Sequence, residues 1–169
     1  MKLHIGGKEA KEGWKILNIQ KNENVDFIGD ISDLTQFEKE SIEVIYASHV
    51  LEHVEQKKVL ETLKGVHRIL KPNGEFYISV PDLDILCKAF ISPKLNLEQR
   101  ISMMRTMFGG QIDKHDFHYF GWNQEIMVYF LNLAGFKKLK KVESLNLFKD
   151  TSDYKPFGIP ISLNVIATK

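Results

Sequence analysis

The stretch from Ile42 to Val80 changes its apolar period twice, and that change restricts the fold more than any other feature of the sequence. Ile42–Ser48 (IEVIYAS) is almost continuously apolar, as a strand buried on both faces must be. Val59, Leu63, Val66 and Leu70 then recur at spacings of four, three and four, which draws one apolar stripe along a helix. Lys71-Pro72-Asn73-Gly74 ends that helix, because proline cannot continue the hydrogen-bond ladder and Asn-Gly favours a turn. Glu75–Val80 (EFYISV) is strand-like again and closes on Pro81-Asp82. A buried strand, a helix and a second buried strand in so short a span is the unit of a mostly parallel sheet covered by helices.

The same alternation runs through the rest of the chain. Lys2–Gly6, Lys15–Gln20 and Val25–Gly29 read as short strands. Asn96, with Gln99 three residues on, opens a helix carrying Leu97, Ile101, Met104 and Phe108 until Gly109-Gly110 stops it. Asn123 opens another, which buries Ile126, Phe130 and Leu133 and ends at Gly135. Leu139–Leu147 and Ser162–Thr168 read as closing strands. One connection breaks the pattern: about eight residues separate the first two strands, fewer than the ~10–12 that a helical crossover takes. That crossover is expected to be a loop. The sheet beside it then needs cover from the Asn96–Phe108 helix or from a second subunit, which leaves room for a homodimer.

A chain of 169 residues with 43% apolar and 27% charged residues suits one domain over residues 1–169. A net charge of +1 argues against a nucleic-acid partner, and Lys137-Lys138-Leu139-Lys140-Lys141 reads as a strand edge whose lysines face water. Cys87 stands alone, so neither a disulfide framework nor a cysteine zinc site is expected. No apolar run approaches the ~20 residues of a membrane span. The first residues lack the pattern of a secretory leader, and a cytoplasmic setting is the expectation.

In open parallel sheets, ligands sit beyond the carboxyl ends of the strands. Here those ends are Gly6-Gly7, Asn18–Gln20, Gly29-Asp30-Ile31 and Ser48-His49. Glycine after the first strand lets a ligand approach the backbone closely. Asp30 is equally an acceptor for a nucleoside and a turn former.

Ser41–Asp84 resembles the second half of class I S-adenosylmethionine-dependent methyltransferase domains, of the small type 11-like kind. The matching features are a fourth strand ending in Ala47-Ser48-His49, then Leu51-Glu52-His53, a helix closing on Arg68-Ile69-Leu70-Lys71-Pro72-Asn73-Gly74, and a fifth strand ending in Val80-Pro81-Asp82. Asn73 stands where the family has its first glycine. The resemblance implies a Rossmann-like α/β sheet, mostly parallel with an antiparallel closing strand, its first crossover helix shortened or missing. It implies S-adenosylmethionine as cofactor across the first four strand ends. Ile5, Gly6 and Gly7 would lie under its amino-acid part, Asn18 near the ribose in place of the usual acid, Asp30 and Ile31 against adenine, and Ser48, His49 and Leu51 beside the methionine portion. The usual glycine run is reduced to Gly6-Gly7-Lys8-Glu9-Ala10.

Two further motifs stand out. His49-Val50-Leu51-Glu52-His53 satisfies the H-x-x-E-H zinc-peptidase pattern, which needs both histidines on one helical face and a third ligand such as Glu125. His49 comes straight off a strand, so no metal is expected. His115-Asp116-Phe117-His118-Tyr119 and Trp122 precede a helix start, where a loop can close over a site. A methyltransferase acting on a small-molecule or glycan acceptor is the function that emerges. His118 and His115 are then candidate bases, and Asp82, Tyr119 and Trp122 candidate acceptor contacts. The alternative is a methyltransferase-like binding or assembly subunit without cofactor.

Overall fold

β4 (Ile42–Ser48) takes the middle of the sheet, as its two-sided apolar character requires. The computed structural model describes residues 1–169. Around β4 are β1 (Lys2–Ile5), β2 (Trp14–Asn18), β3 (Phe27–Ile28), β5 (Leu70–Pro81), β6 (Lys138–Val142) and β7 (Ser162–Thr168). They form one seven-stranded sheet in the order β3-β2-β1-β4-β5-β7-β6. The first five strands run parallel, and β7 is antiparallel to both β5 and β6. This is the α/β architecture expected from the sequence, including the antiparallel closing strand. The lysine-rich β6 is an edge strand, and Lys138, Lys140 and Lys141 face water.

Helices α1 (Val59–Ile69) and α4 (Gln124–Ala134) cover one face. The stripe on α1 is buried throughout, and Leu70 joins it from the start of β5. On α4 the buried residues are Met127, Leu131 and Ala134, whereas Ile126 and Phe130 are half-buried and Leu133 points outward. Leu3, Ile5, Ile45, Ala47, Phe76 and Ile78 meet these helices from the sheet. Asn123 caps α4 by accepting from the Ile126 N–H, and Gly135 ends it at a left-handed φ of 103°.

The first crossover contains no helix, as its length predicts. Its cover is not the Asn96–Phe108 helix, which packs elsewhere. Residues 143–161, between β6 and β7, fold over the face that carries His4 and Tyr46. The Phe148 ring lies 4.2 Å from His4, 4.6 Å from Tyr46 and 5.0 Å from Trp14. Asp150 accepts from Tyr46 Oη at 2.7 Å and from Ser48 Oγ at 3.2 Å. The strand expected to reach Leu147 therefore stops at Val142, and the apolar residues beyond it serve as a lid on the sheet.

Three further points differ from the reading of the sequence. α2 (Leu83–Ile91), capped by Asp82, was not foreseen from the sequence, because its residues are apolar nearly all round and show no single stripe. α3 (Leu97–Phe108) has the capping box read from Asn96 and Gln99, but it packs against α2 through Met103 and Met107. Leu97, Ile101, Met104 and Phe108 face outward. Lys71-Pro72-Asn73-Gly74 is not a separate turn either. It is an irregular first part of β5, between the pairs Ile42–Leu70 and Val44–Glu75. Asn73 has a φ of 62°, a conformation asparagine tolerates better than most residues. No helix is long and apolar enough to cross a membrane.

His4 is 9% exposed and its Nδ1 has no hydrogen-bond partner. Burial pulls its pKa down to about 4, with Asp150 opposing the shift and Lys11 adding to it. The folded state thus resists protonating a side chain that the unfolded chain protonates below its ordinary value of 6.5. Its contribution is complete above that value and is lost as the pH falls towards about 4. Urea unfolding at about pH 7.5 and about pH 4.5 should show wild type losing roughly 2 kcal/mol more than His4→Phe. Equal losses would refute this origin of acid sensitivity.

Candidate functional site

A cavity of about 340 Å³ opens beyond the carboxyl ends of β1, β2 and β4 and the turn after β3. This is the position that parallel sheets reserve for ligands, beside the reversal in strand order. Its floor includes Ile5, Gly6, Asn18 and Asp30, and one wall is made by Ser48, His49, Val50 and His53. Residues 112–116 and Tyr119 lie across the entrance. Of the residues anticipated from sequence, Ile5, Gly6, Asn18, Asp30, Ile31, Ser48, His49, His115 and Tyr119 line this space.

Gly6 is at the turn off β1 with a φ of 79°, and its N–H donates to the Leu17 carbonyl at 2.8 Å. A Cβ there would stand 2.7 Å from Val50 Cγ2, so only glycine lets the chain turn this close to the wall. Gly7 does not line the cavity. A Cβ on it would lie 2.6 Å from His4 Nδ1, and its role is to admit the His4 ring.

Asn18 replaces an expected acid for a reason the structure makes plain. Its Nδ2 donates to the Gly7 carbonyl at 2.9 Å, and its Oδ1 accepts from the Gln20 N–H at 2.9 Å. A carboxylate would meet Gly7 oxygen with oxygen. The amide therefore holds the shortened glycine loop against β2. Asp30 accepts from the Ser32 N–H through Oδ1 at 2.7 Å, and the residue lines the cavity. Ile31 is anchored in the core.

Ser48 donates to Asp150. His49 leaves β4 at a φ of 53°, with its Nε2 3.0 Å from Ser162 Oγ. Burial pulls the His49 pKa down to about 4, so the ring is neutral at ordinary pH. Four anticipated residues besides Gly7 are not part of the cavity lining. Leu51 is core. Asp82 accepts from the Asp84 and Ile85 N–H groups at 3.1 and 3.4 Å and so caps α2. Trp122 is 1% exposed and packs 4.5 Å from Phe120. His118 lines a separate depression with Arg105 and Asp116, and its ring meets His53 edge-on at 4.8 Å.

Among the side chains that the sequence assignment left out are Gln20 on the cavity rim and, beside the cavity wall, Glu52 and His53. Leu51–His53 forms a 3-10 turn, which points Glu52 inward. Glu52 is 1% exposed, and neither carboxyl oxygen has a hydrogen-bond partner. His49 Nδ1 lies 3.4 Å from Oε1, too long and poorly directed to be counted as one. Burial pushes the Glu52 pKa up to about 8. The Glu52 carbonyl accepts from the Tyr119 and Phe120 N–H groups at 2.8 and 3.2 Å. His53 Nδ1 lies 3.1 Å from the Phe117 carbonyl. The only sequence signal for Glu52 and His53 was the H-x-x-E-H pattern.

A mostly parallel sheet with a cavity at the carboxyl ends of its strands, beside the switch in strand order, has the architecture in which α/β domains hold ligands. Residues 9–78 match the family described as methyltransferase domain. The chain's fold resembles a methyltransferase of Thermotoga maritima described as a possible histamine N-methyltransferase, at 17% identity and a TM-score of 0.63, covering 99% of this chain and 81% of that one. A second similar structure is an S-adenosylmethionine-dependent methyltransferase of Archaeoglobus fulgidus, at 18% identity and a TM-score of 0.59, with coverages of 99% and 85%. A third is the 1,6-didemethyltoxoflavin-N1-methyltransferase of Burkholderia thailandensis with bound S-adenosylhomocysteine, at 15% identity and a TM-score of 0.60, with coverages of 99% and 70%. No curated protein matches the sequence at a significant level. Residues 9–78 thus match a methyltransferase domain, and the whole chain shares its fold with S-adenosylmethionine-dependent methyltransferases.

The geometry at residue 18 makes a prediction contrary to the family habit of an acid there. Asn18→Asp should lower unfolding stability by roughly 1–3 kcal/mol, the cost of an unmatched buried polar pair. It should give no gain in S-adenosylhomocysteine affinity. Denaturant titration and calorimetry check both; unchanged stability with tighter binding would overturn the role assigned to the amide.

Proposed function

We propose that the chain is an S-adenosylmethionine-dependent methyltransferase acting in the cytoplasm on a small-molecule or glycan acceptor. The observation that carries the reading is the cavity itself, which has glycine backbone at Gly6 on one side and Asp30 on the other. These groups fit the cofactor. Gly6 admits a close approach to backbone, Asp30 accepts from an amino or hydroxyl group, and Gln20 has an unengaged side chain on the same rim. Bound there, the cofactor supplies a methyl group already activated by its sulfonium charge. The named Burkholderia neighbour acts on a small molecule, which supports an acceptor of that size. An exposed free thiol at Cys87 suits a reducing compartment.

What remains for the protein is alignment and exclusion of water. Residues 112–116 and Tyr119 stand over the opening and narrow the path for solvent. His115 is the exposed imidazole at that mouth, its loop shaped by the His115 N–H donating to Asp113 Oδ1 at 2.7 Å. It is placed to take a proton from a hydroxyl or amine acceptor. His118 is less suited to that role, because its ring is turned towards His53. Tyr119 is exposed at the same opening and offers its ring to the acceptor.

A second reading has one specific observation in its favour. The Asn18 amide is engaged on the chain's own backbone, leaving the ribose position without a dedicated acid, as befits a methyltransferase-like binding or assembly subunit. Isothermal titration with S-adenosylhomocysteine separates the two. The enzymatic reading expects micromolar binding, weakened at least ~10-fold, or about 1.4 kcal/mol, by Asp30→Ala with an unchanged melting temperature. No heat at millimolar ligand would overturn it in favour of the binding subunit.

A further inference from the structure

We infer that Glu52, His53 and His118 form a site for one divalent first-row transition ion, of the kind zinc represents, in the wall between the cavity and the depression beside α3. One donor atom from each residue lies within 4.8 Å of the other two. Two imidazoles and a carboxylate are a donor set that such ions favour. The Glu52 carboxyl is buried with both oxygens unpartnered. Keeping a charge there without a partner is costly, and a cation between the two rings is the partner the protein does not otherwise supply.

The surroundings orient these donors. The Phe117 carbonyl lies on His53 Nδ1, which assigns the proton to that nitrogen and leaves Nε2 as the lone-pair donor. This is the outer-shell contact that metal-binding histidines ordinarily have. His49 gives the carboxylate no proton: its Nε2 donates to Ser162 Oγ, and its neutral Nδ1 lies 3.4 Å from Glu52 Oε1 without a hydrogen bond. The site is also reachable, because His53 borders the cavity and His118 borders the depression. Zinc bonded to its ligands at ~2.1 Å places them ~3.4 Å apart, so the half-buried imidazoles need to swing inward by only about an ångström.

This is not the peptidase arrangement that the H-x-x-E-H pattern describes. His49 is outside the 3-10 turn, and Glu125 is exposed in the first turn of α4. The third donor is His118, brought in from a distant loop because Tyr119 and Phe120 hang on the Glu52 carbonyl.

The test uses the full-length, untagged chain stripped with chelator and titrated with zinc by calorimetry and with cobalt by visible absorption. One equivalent should bind with micromolar or tighter affinity and raise the melting temperature. His118→Ala and Glu52→Gln should each weaken binding at least ~10-fold, and His67→Ala, on the far side of α1, should leave it unchanged. Glu52→Gln keeps the shape of the side chain, so a loss of affinity in a variant that still melts cooperatively is a loss of ligation. No binding at about 100 μM zinc, or binding that His118→Ala does not alter, would overturn the site. The inference does not depend on methyltransferase activity: S-adenosylhomocysteine titrated in the presence of chelator reads the cofactor cavity alone.

Discussion

A central parallel strand must be covered on both faces, and how this chain covers its second face determines most of what is distinctive about it. One side of β4 meets the helices α1 and α4. The other presents Tyr46 and Ser48, and both hydroxyls donate to Asp150. That carboxylate anchors the segment between the last two strands, and Phe148 follows it down onto His4 and Trp14. The first crossover can then be a bare loop, because the work of a helix is done from the other end of the chain.

Much of this was legible in the sequence, and the reasons for success and failure are physical. Ile42–Ser48, the stripe on α1 and the caps at Asn96 and Asn123 were readable because each rests on a local period or a local hydrogen bond. The absent first helix was readable from chain length alone. The lid at Phe148 was not, since nothing near that residue says that His4, far back in the sequence, lies beneath it. The outward face of α3 was misread for a related reason. Apolar residues lie on two sides of that helix, and only the position of α2 decides that Met103 goes in and Leu97 stays out.

The site divides in the same way. Strand ends are local features, so Gly6, Asn18, Asp30 and His49 were placed at the cavity from the order of elements alone. Residues whose environment depends on distant contacts were harder. Asp82 and Trp122 looked like polar and aromatic equipment for a ligand, yet one caps a helix and the other fills the core. Glu52 shows the converse. In the sequence it stood out only within the H-x-x-E-H pattern, and the 3-10 turn points it into the interior. A carboxyl so placed is either neutral or attended by a cation.

The two hydrogen bonds from Tyr119 and Phe120 to the Glu52 carbonyl have a mechanical consequence. They fasten the stretch leading out of the cavity's roof to the turn that holds the interior carboxyl. Tyr119 cannot swing clear without tugging that turn, and the turn cannot relax without loosening Tyr119. Any coupling of binding between the two places is therefore reciprocal, since linkage makes the change in affinity equal in both directions. The doorway and the innermost acid of this protein share one hinge pin.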